Sequence, residues 1–389
     1  MRYIDLSERR ARLGRRHMLV QPAASLEEAA AAMVGLHSSD PVTVYLSAWV
    51  RVPQLTRGAV ADALYERRSL LRLLGMRRTL FTVPRDLAAV IEPACAVPLA
   101  PAERRRLAKL LATQGIAADA DAWLTRVCDA TLAALEARGE AVARELSGDV
   151  PELAQKIRLG EGKRWGGEFG MSTRILFLLA AEGRIIRGRP RGTWMSSQYG
   201  WAPKDAWLGG PLPFLSTAEA RSELLTRWLR TFGPGTLADV KWWSGFSLRD
   251  TRAALDTCGA VEVEVDDGVG FVLADDIEPE PVPEPWAALL PGLDSTPMGW
   301  KERDWFLGDH GAALFDRNGN IGPTVWCDGR IVGGWAQAPD GEVVVKLLEE
   351  VGGDRASLVE QERCRLSEWL GDDRITPRFR TPLDREIGA

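Results

Sequence analysis

The sequence predicts an α+β protein: three successive units of helices closed by a two-stranded hairpin, followed by a β-rich C-terminal domain. Three observations carry this prediction. Helix-capping signatures of the form Ser/Thr-x-x-Glu/Asp stand ahead of apolar-periodic runs at Ser25, Ser216, Thr236 and Ser247. Each group of helical runs ends in two strand-like runs around a turn. Beyond residue 286 the pattern changes to short apolar strands punctuated by Asn318-Gly319, Asp328-Gly329 and Asp340-Gly341.

In the first unit (1–100), Ser25 opens a helix expected to run to about Leu36, a second helix starts at Pro41, and a third lies in "RGAVADALYERR". "SLLRLL" and "RTLFTVP" then read as strands joined through Gly75. In the second (101–205), "AWLTRVCDATLAALEARG", "AVARELSG" and "STRILFLLAAEG" read as helices, the glycines suiting left-handed caps. "RIIRGRPRGTWMSSQYGW" reads as a hairpin with a basic tip. In the third (206–275), "STAEARSELLTRWLRTFG", "TLADVKWWSG" and "SLRDTRAALDTCG" precede an alternating hairpin, "VEVEV-DDG-VGFVL". Three short helices plus a hairpin is the winged-helix form of helix-turn-helix, whose third helix and wing are the usual DNA-touching parts. Its threefold recurrence argues for an internal repeat. The acidic, proline-rich run "DIEPEPVPEPW" (276–286) is expected to be a stiff extended connector. Residues 287–389 follow as a small barrel-like sheet closed by a helix from about Ser357 to Leu370. "DRNGN" (316–320) lacks the later glutamate of a calcium loop and reads as a plain turn.

At 389 residues the chain is long enough for several cores. It has no apolar run of membrane-spanning length, and "MRYIDLSERR" lacks the apolar stretch of a signal peptide, so the expected location is the cytoplasm. Five scattered cysteines without CxxC and three histidines without HxxxH or HExxH predict neither a disulfide frame nor a metal centre, and no cofactor is expected. The net charge of −5 hides an asymmetry: residues 1–200 carry +9 and residues 201–389 carry −14. A basic first half suggests a face for a polyanion, because phosphate affinity follows local Lys/Arg density.

The repeat, together with "LLPGLDSTPMGWKERDWFLG", "LFDRNGNIGPTVWCDGRIVGGW" and the "GL"-to-"YLSAWVRV" helix junction, resembles the winged-helix DNA glycosylase superfamily that includes AlkZ and YcaQ, over about residues 20–370. The resemblance implies three tandem winged helices in a C-shaped scaffold, a concave face for duplex DNA, and hydrolysis of the N-glycosidic bond of bulky alkylated purines in repair or self-resistance. The family carries Gln-apolar-Gln or Gln-x-Asp after "GL"; this chain has His37, Ser38 and Ser39. Where such glycosylases tend to have "TLH", this chain has Phe81.

An N7-alkylated purine already bears positive charge and needs no acid to leave. The barrier is the sugar cation and the placing of a water. His37 as water-binding base, Ser39 as positioning group and Asp40 as electrostatic partner form a coherent catalytic set. Asp40 before Pro41 is also an N-cap followed by first-turn proline, and Ser38 and Ser39 are also ordinary linker residues. Candidate phosphate contacts are Arg77 and Arg78 in the first wing and Arg184, Arg187, Arg189 and Arg191 in the second. Arg104, Arg105 and Arg106 read as a solvated helix face, and the near-neutral third unit reads as scaffold. The expected partner is double-stranded DNA, bound by a monomer. Two functions follow: an alkylpurine DNA glycosylase, or a non-catalytic DNA-binding protein that regulates transcription or shields damage.

Overall fold

The structure is a computed structural model that describes residues 1–160, 162 and 166–388. Helix α1 (Leu6–Arg16) precedes the first unit, which runs α2 (Leu26–Ala32), β1 (Leu36–His37), α3 (Pro41–Arg51), α4 (Arg57–Ala61, continued by a π turn over 62–66), β2 (Leu70–Leu74) and β3 (Leu80–Pro84). After α5 (Arg85–Ile91) and α6 (Ala100–Thr113), the second unit runs α7 (Ala120–Arg138), α8 (Ala143–Asp149), a small hairpin of β4 (Lys156–Leu159) and β5 (Gly167–Gly170), α9 (Met171–Ala181), β6 (Ile185–Pro190) and β7 (Tyr199–Pro203). Helix α10 (Lys204–Leu208) leads to the third unit: α11 (Thr217–Phe232), β8 (Gly235–Thr236), α12 (Leu237–Ser244), α13 (Leu248–Thr257), β9 (Ala260–Val265) and β10 (Gly268–Leu273). The predicted caps form: Ser25, Ser216, Thr236 and Ser247 each accept a backbone N–H three residues on, at 3.0–3.3 Å.

The three units share one connectivity. A short extended segment after the first helix pairs with the last strand of the hairpin: β1 with β3, β8 with β10, and in the second unit a single bridge from Ala141 to Trp201. That extended segment corrects the predicted length of the first helix. Helix α2 stops at Ala32 because Val34 and Gly35 take positive φ (50° and 101°), which turns Leu36 and His37 into a strand. A side chain on Gly35 would also meet Val83 at 2.8 Å.

Three further differences from the expectations have clear causes. First, the wings are not independent projections. β2 pairs with β6 through Arg72 and Arg187, fusing the first two hairpins into one five-stranded sheet, β1-β3-β2-β6-β7. Second, the C-terminal sheet of β11 (Ala287–Leu290), β12 (Thr324–Cys327), β13 (Arg330–Gln337) and β14 (Val343–Leu347) is an open antiparallel meander, not a barrel. Four strands do not close on themselves; α16 (Gly353–Leu370) covers the sheet and α17 (Pro382–Ile387) packs on β13, with two one-turn helices, α14 (Asp304–Leu307) and α15 (Gly311–Leu314), before β12. Third, the acidic connector is not free. Arg12 donates to the Glu278 carbonyl at 2.8 Å, Arg16 forks onto the Asp276 carboxylate at 2.8 Å, and Arg15 pairs with Glu280 at 3.2 Å. Much of the basic charge of α1 is therefore neutralised within the fold. "DRNGN" is a turn in which the Asp316 carboxylate accepts from Asn318 and Asn320 backbone N–H groups, at 2.7 and 2.9 Å.

One apolar core runs through the first unit, the third unit and the C-terminal domain, and the second unit has its own. At the junction of α3 with the "GLDST" turn lies an ion pair with no exposure on either partner, Arg51 and Asp294. Arg51 spends all five donors: two on the Asp294 carboxylate (2.7 and 2.8 Å), and one each on Thr296 Oγ1, the Ser47 carbonyl and the His17 carbonyl. Ser47 Oγ and the Thr296 N–H complete the carboxylate's partners at 2.5 and 2.9 Å. Ser295 Oγ accepts from His37 N and donates to the Gly35 carbonyl. The C-terminal motif thus holds the helix joint of the first unit in place from behind. Among the described residues no helix is long and apolar enough to cross a membrane.

Candidate nucleic-acid interface

Leu36–His37 is a strand, and the chain bends over Ser39 and Asp40; His37 and Ser38 point to opposite faces of the sheet. His37 lies opposite Phe81 and points into the core, its ring edge-on to Phe81 at 5.3 Å. It closes a crevice with Met33, Arg77, Trp243, Ser295 and Met298 that has no room for a water. Burial, reinforced by the Arg77 charge, pushes its pKa down to about 3. This corrects the expectation that His37 serves as a water-binding base: the ring is buried in the core, in a crevice that holds no water, and does not line the cleft beside Ser39. The neighbouring strand position in the same face explains it, since Phe81 is an apolar partner that draws the ring inward.

His17 is likewise buried, with Nδ1 at 2.9 Å from Thr296 Oγ1, and burial lowers its pKa to about 3. Both rings stay neutral in the fold and protonate on unfolding below pH 6.5. Stability from this source is therefore complete above pH 6.5 and lost as pH falls toward 3. Between pH 7 and pH 5 the unfolding free energy should drop by about 2 kcal/mol per histidine, and His37→Gln should remove one of those two contributions. Chemical denaturation of both proteins at the two pH values checks this; equal slopes would refute it.

Ser38 faces the other way. Its Oγ receives Arg72 Nε at 2.5 Å and Thr82 Oγ1 at 3.2 Å. Ser39 lines a cleft of about 490 Å³ bounded by β2, the turn before β3, helix α9, the start of β6 and residues 378–379. Asp40 caps α3: Oδ1 accepts from Val42 N at 3.1 Å, and Oδ2 accepts from Arg378 N at 2.9 Å. Burial raises its pKa above the ordinary carboxylate value, opposed by these two hydrogen bonds.

The arginines divide. Arg77 does not face the cleft; it stacks on Trp242 at 3.9 Å, half-covered, and burial lowers its pKa to about 10. Trp242 is held between Arg77 and Arg303, and Trp243 fills core, so neither is free to stack on a base. Arg78 lines the cleft, paired with Glu103. Arg184 points elsewhere, to Asp129 at 2.8 Å and Glu182 at 3.6 Å. Arg189 pairs with Glu66, and Arg191 lies 3.4 Å from Glu145. The tip of that hairpin is docked on protein: Trp194 packs on Tyr45 and Trp369 and donates to Asp373 at 3.1 Å. Arg184, Arg189 and Arg191 are thus corrected from free cationic wing to paired groups, because the carboxylates that meet them lie on other segments of the chain. Arg187 alone of the second hairpin's candidates lines the cleft.

Sequence reasoning missed Arg72, Arg174 and Arg378, which also line it. A signal existed for Arg72 and Arg174: each is a single charge inside an apolar run, "LLRLL" and "STRILFLL". None existed for Arg378, whose tail returns to the joint only in three dimensions. Among the described residues Arg72, Arg174, Arg187 and Arg378 form no carboxylate ion pair. The carboxylate lining the cleft, Glu92, is tied to Lys204 at 2.5 Å. The third unit has no such face; its wing turn is taken up by the N-terminus, with Asp267 bound by Arg9 at 2.9 Å and Asp266 by Tyr3.

A cleft edged by unpaired arginines, between a hairpin of one unit and the third helix of the next, is the electrostatic footprint of a polyanion-binding protein. The chain belongs to the AlkZ-like DNA glycosylase family, whose model, "DNA glycosylase AlkZ-like", matches residues 30–369. The interstrand DNA cross-link repair glycosylase of Streptomyces sahachiroi is 28% identical over 258 residues, 62% of this chain and 64% of that protein, so the matched stretch spans just under two thirds of the relative. The solved structure of Streptomyces sahachiroi DNA glycosylase AlkZ superposes with a TM-score of 0.74 at 20% identity, covering 97% of this chain and 100% of that one. That likeness shows the shared fold.

Proposed function

We propose that this chain binds duplex DNA as a monomer along the arginine-edged cleft and hydrolyses the N-glycosidic bond of bulky N-alkylated purines, in repair or self-resistance in the cytoplasm. We read the three units as winged helices in a C-shaped scaffold. The helix–strand–helix–helix–hairpin connectivity supports this. On that reading α9 is a recognition helix, the first hairpin is the wing opposite it, and the third unit is scaffold.

The single observation that carries the proposal is that Ser39 and the unpaired Arg174 and Arg187 face one cleft. Arg174 and Arg78 hold the strand by its phosphates. The cationic purine leaves without an acid. Ser39, able to donate and accept, orients the attacking water, and the carboxylate of the next residue, Asp40, held by the Val42 and Arg378 backbone N–H groups, supplies the negative field for the developing sugar cation. His37 takes no part.

The test is a duplex carrying one N7-alkylguanine, assayed for alkali-labile abasic sites. Wild type should release base above buffer, and Ser39→Ala should slow release about 10²-fold with binding retained. One observation favours the second reading: the cleft offers no neutral histidine, and its Glu92 is tied to Lys204. Salt-sensitive duplex binding without base release would make the chain a non-catalytic binder.

A further inference from the structure

At the seam where the first two units share a sheet, two arginines stand side by side. Arg72 of β2 and Arg187 of β6 are register partners on neighbouring strands. Directly opposed like charges destabilise a sheet. Burial and the adjacent Arg72 charge push the pKa of Arg187 down to about 10. Arg72 is only 2% exposed. Its Nε is satisfied by Ser38 Oγ and its Nη1 lies 3.5 Å from the Tyr65 hydroxyl, but Nη2 has no partner. Arg187 Nε and the Tyr199 hydroxyl are also buried without partners.

A third guanidinium, Arg378, donates to the Ser39 carbonyl at 3.1 Å and is near enough to disfavour the charge on Arg187. Ring faces supply some compensation: Tyr199 lies 4.3 Å from Arg72, and Trp201 lies 3.8 Å from Arg187. Rings do not satisfy in-plane N–H donors. Three cations converge on one cleft wall with unmade donors, while the nearby Asp40 carboxylate is taken up by the Val42 and Arg378 backbone N–H groups; the cations match the acceptor geometry of a tetrahedral oxyanion.

We propose that Arg72, Arg187 and Arg378 form a built pocket for a single phosphate group in the wall of the cleft, beside Ser39. Arg187 and Arg378 grip its oxygens and Arg72 stands behind as a fixed charge. The phosphate comes either from a DNA strand lying in the cleft or from free phosphate. The strand source rests on the DNA-binding reading above, whereas the phosphate chemistry does not.

The experiment has two arms, each run on the full chain and on Arg187→Met, which keeps apolar packing on Trp201, and Arg378→Gln, which removes an exposed guanidinium and its bond to the Ser39 carbonyl. Because Arg378→Gln also gives up the bond to the Ser39 carbonyl, each variant is compared with its own melting temperature in chloride: in the first arm, millimolar inorganic phosphate is added at constant ionic strength against chloride. Wild type should gain several degrees in melting temperature, and both variants should lose most of that gain. Equal gains in all three proteins would overturn the pocket.

In the second arm, single neutral methylphosphonates are scanned along a duplex. One position should weaken wild-type binding about tenfold and leave Arg187→Met, already weakened, unchanged. That result assigns the strand as the source. A phosphate effect without any such position assigns free phosphate. Absence of duplex binding in wild type would remove the DNA reading while the first arm still decides the pocket. If Arg187→Met fails to fold, Arg378→Gln decides both arms.

Discussion

Asp294→Ala should lower the unfolding free energy by about 3–5 kcal/mol, the largest effect of any single substitution outside the apolar core. The carboxylate is fully buried and neutralises Arg51, whose five donors are all engaged. Removing it leaves a guanidinium without a counter-charge where water cannot reach, and frees Ser47 Oγ and the Thr296 N–H. The loss is local in cause but wide in reach, since the same turn carries Ser295, which holds the backbone on both sides of Leu36. Asp294→Asn, which keeps shape and one acceptor but not the charge, should fall between. Urea denaturation measures both. A midpoint for Asp294→Ala indistinguishable from wild type would mean that the pair is not a joint between the first unit and the C-terminal domain.

Charge reversal in the cleft is the second large effect. Arg78→Glu with Arg174→Glu should weaken duplex binding about 10²-fold near 0.1 M salt, because two counterion-releasing contacts become repulsive, and should flatten the dependence of log affinity on log salt by about two contacts' worth. Among the described residues Arg174 has no carboxylate partner to lose, whereas Arg78 gives up its pair with the mostly covered Glu103, so the melting temperature of the double variant is measured beside its affinity. The control is Arg249→Glu with Arg252→Glu on α13 of the third unit, where Arg249 is almost wholly solvated. These should change affinity by less than about threefold. Comparable losses from both pairs would place the third unit in the interface and overturn its scaffold role.

Much of the local structure was legible in the sequence because its causes are local. The capping serines and threonines accept the N–H groups they were expected to accept, and Asp40 with Pro41 starts α3. The order of helices and hairpins follows from periodicity and turn chemistry. The end of α2 was not legible: Val34 at positive φ is a choice no propensity favours, and it is held by the packing of Gly35 on Val83. That one turn moved His37 from a helix end into a strand and its ring into the core. The candidate site was half legible. Ser39, Arg78 and Arg187 reach the cleft, while Arg77, Arg184, Arg189 and Arg191 are taken by Trp242 and by carboxylates remote in sequence.

By itself the sequence determined the elements, their threefold order, the acidic connector and the class of chemistry a basic first half serves. Those properties depend on spacing within one segment: backbone donors, turn residues and apolar period. Which arginines remain free was decided only by the tertiary structure. A charge tied to a carboxylate of the fold is less available to a ligand, and the carboxylates here come from α7 and α8 of the same unit (Asp129, Glu145) and from the first unit (Glu66). Pairing in space depends on long-range packing, to which residue type and neighbour order are blind.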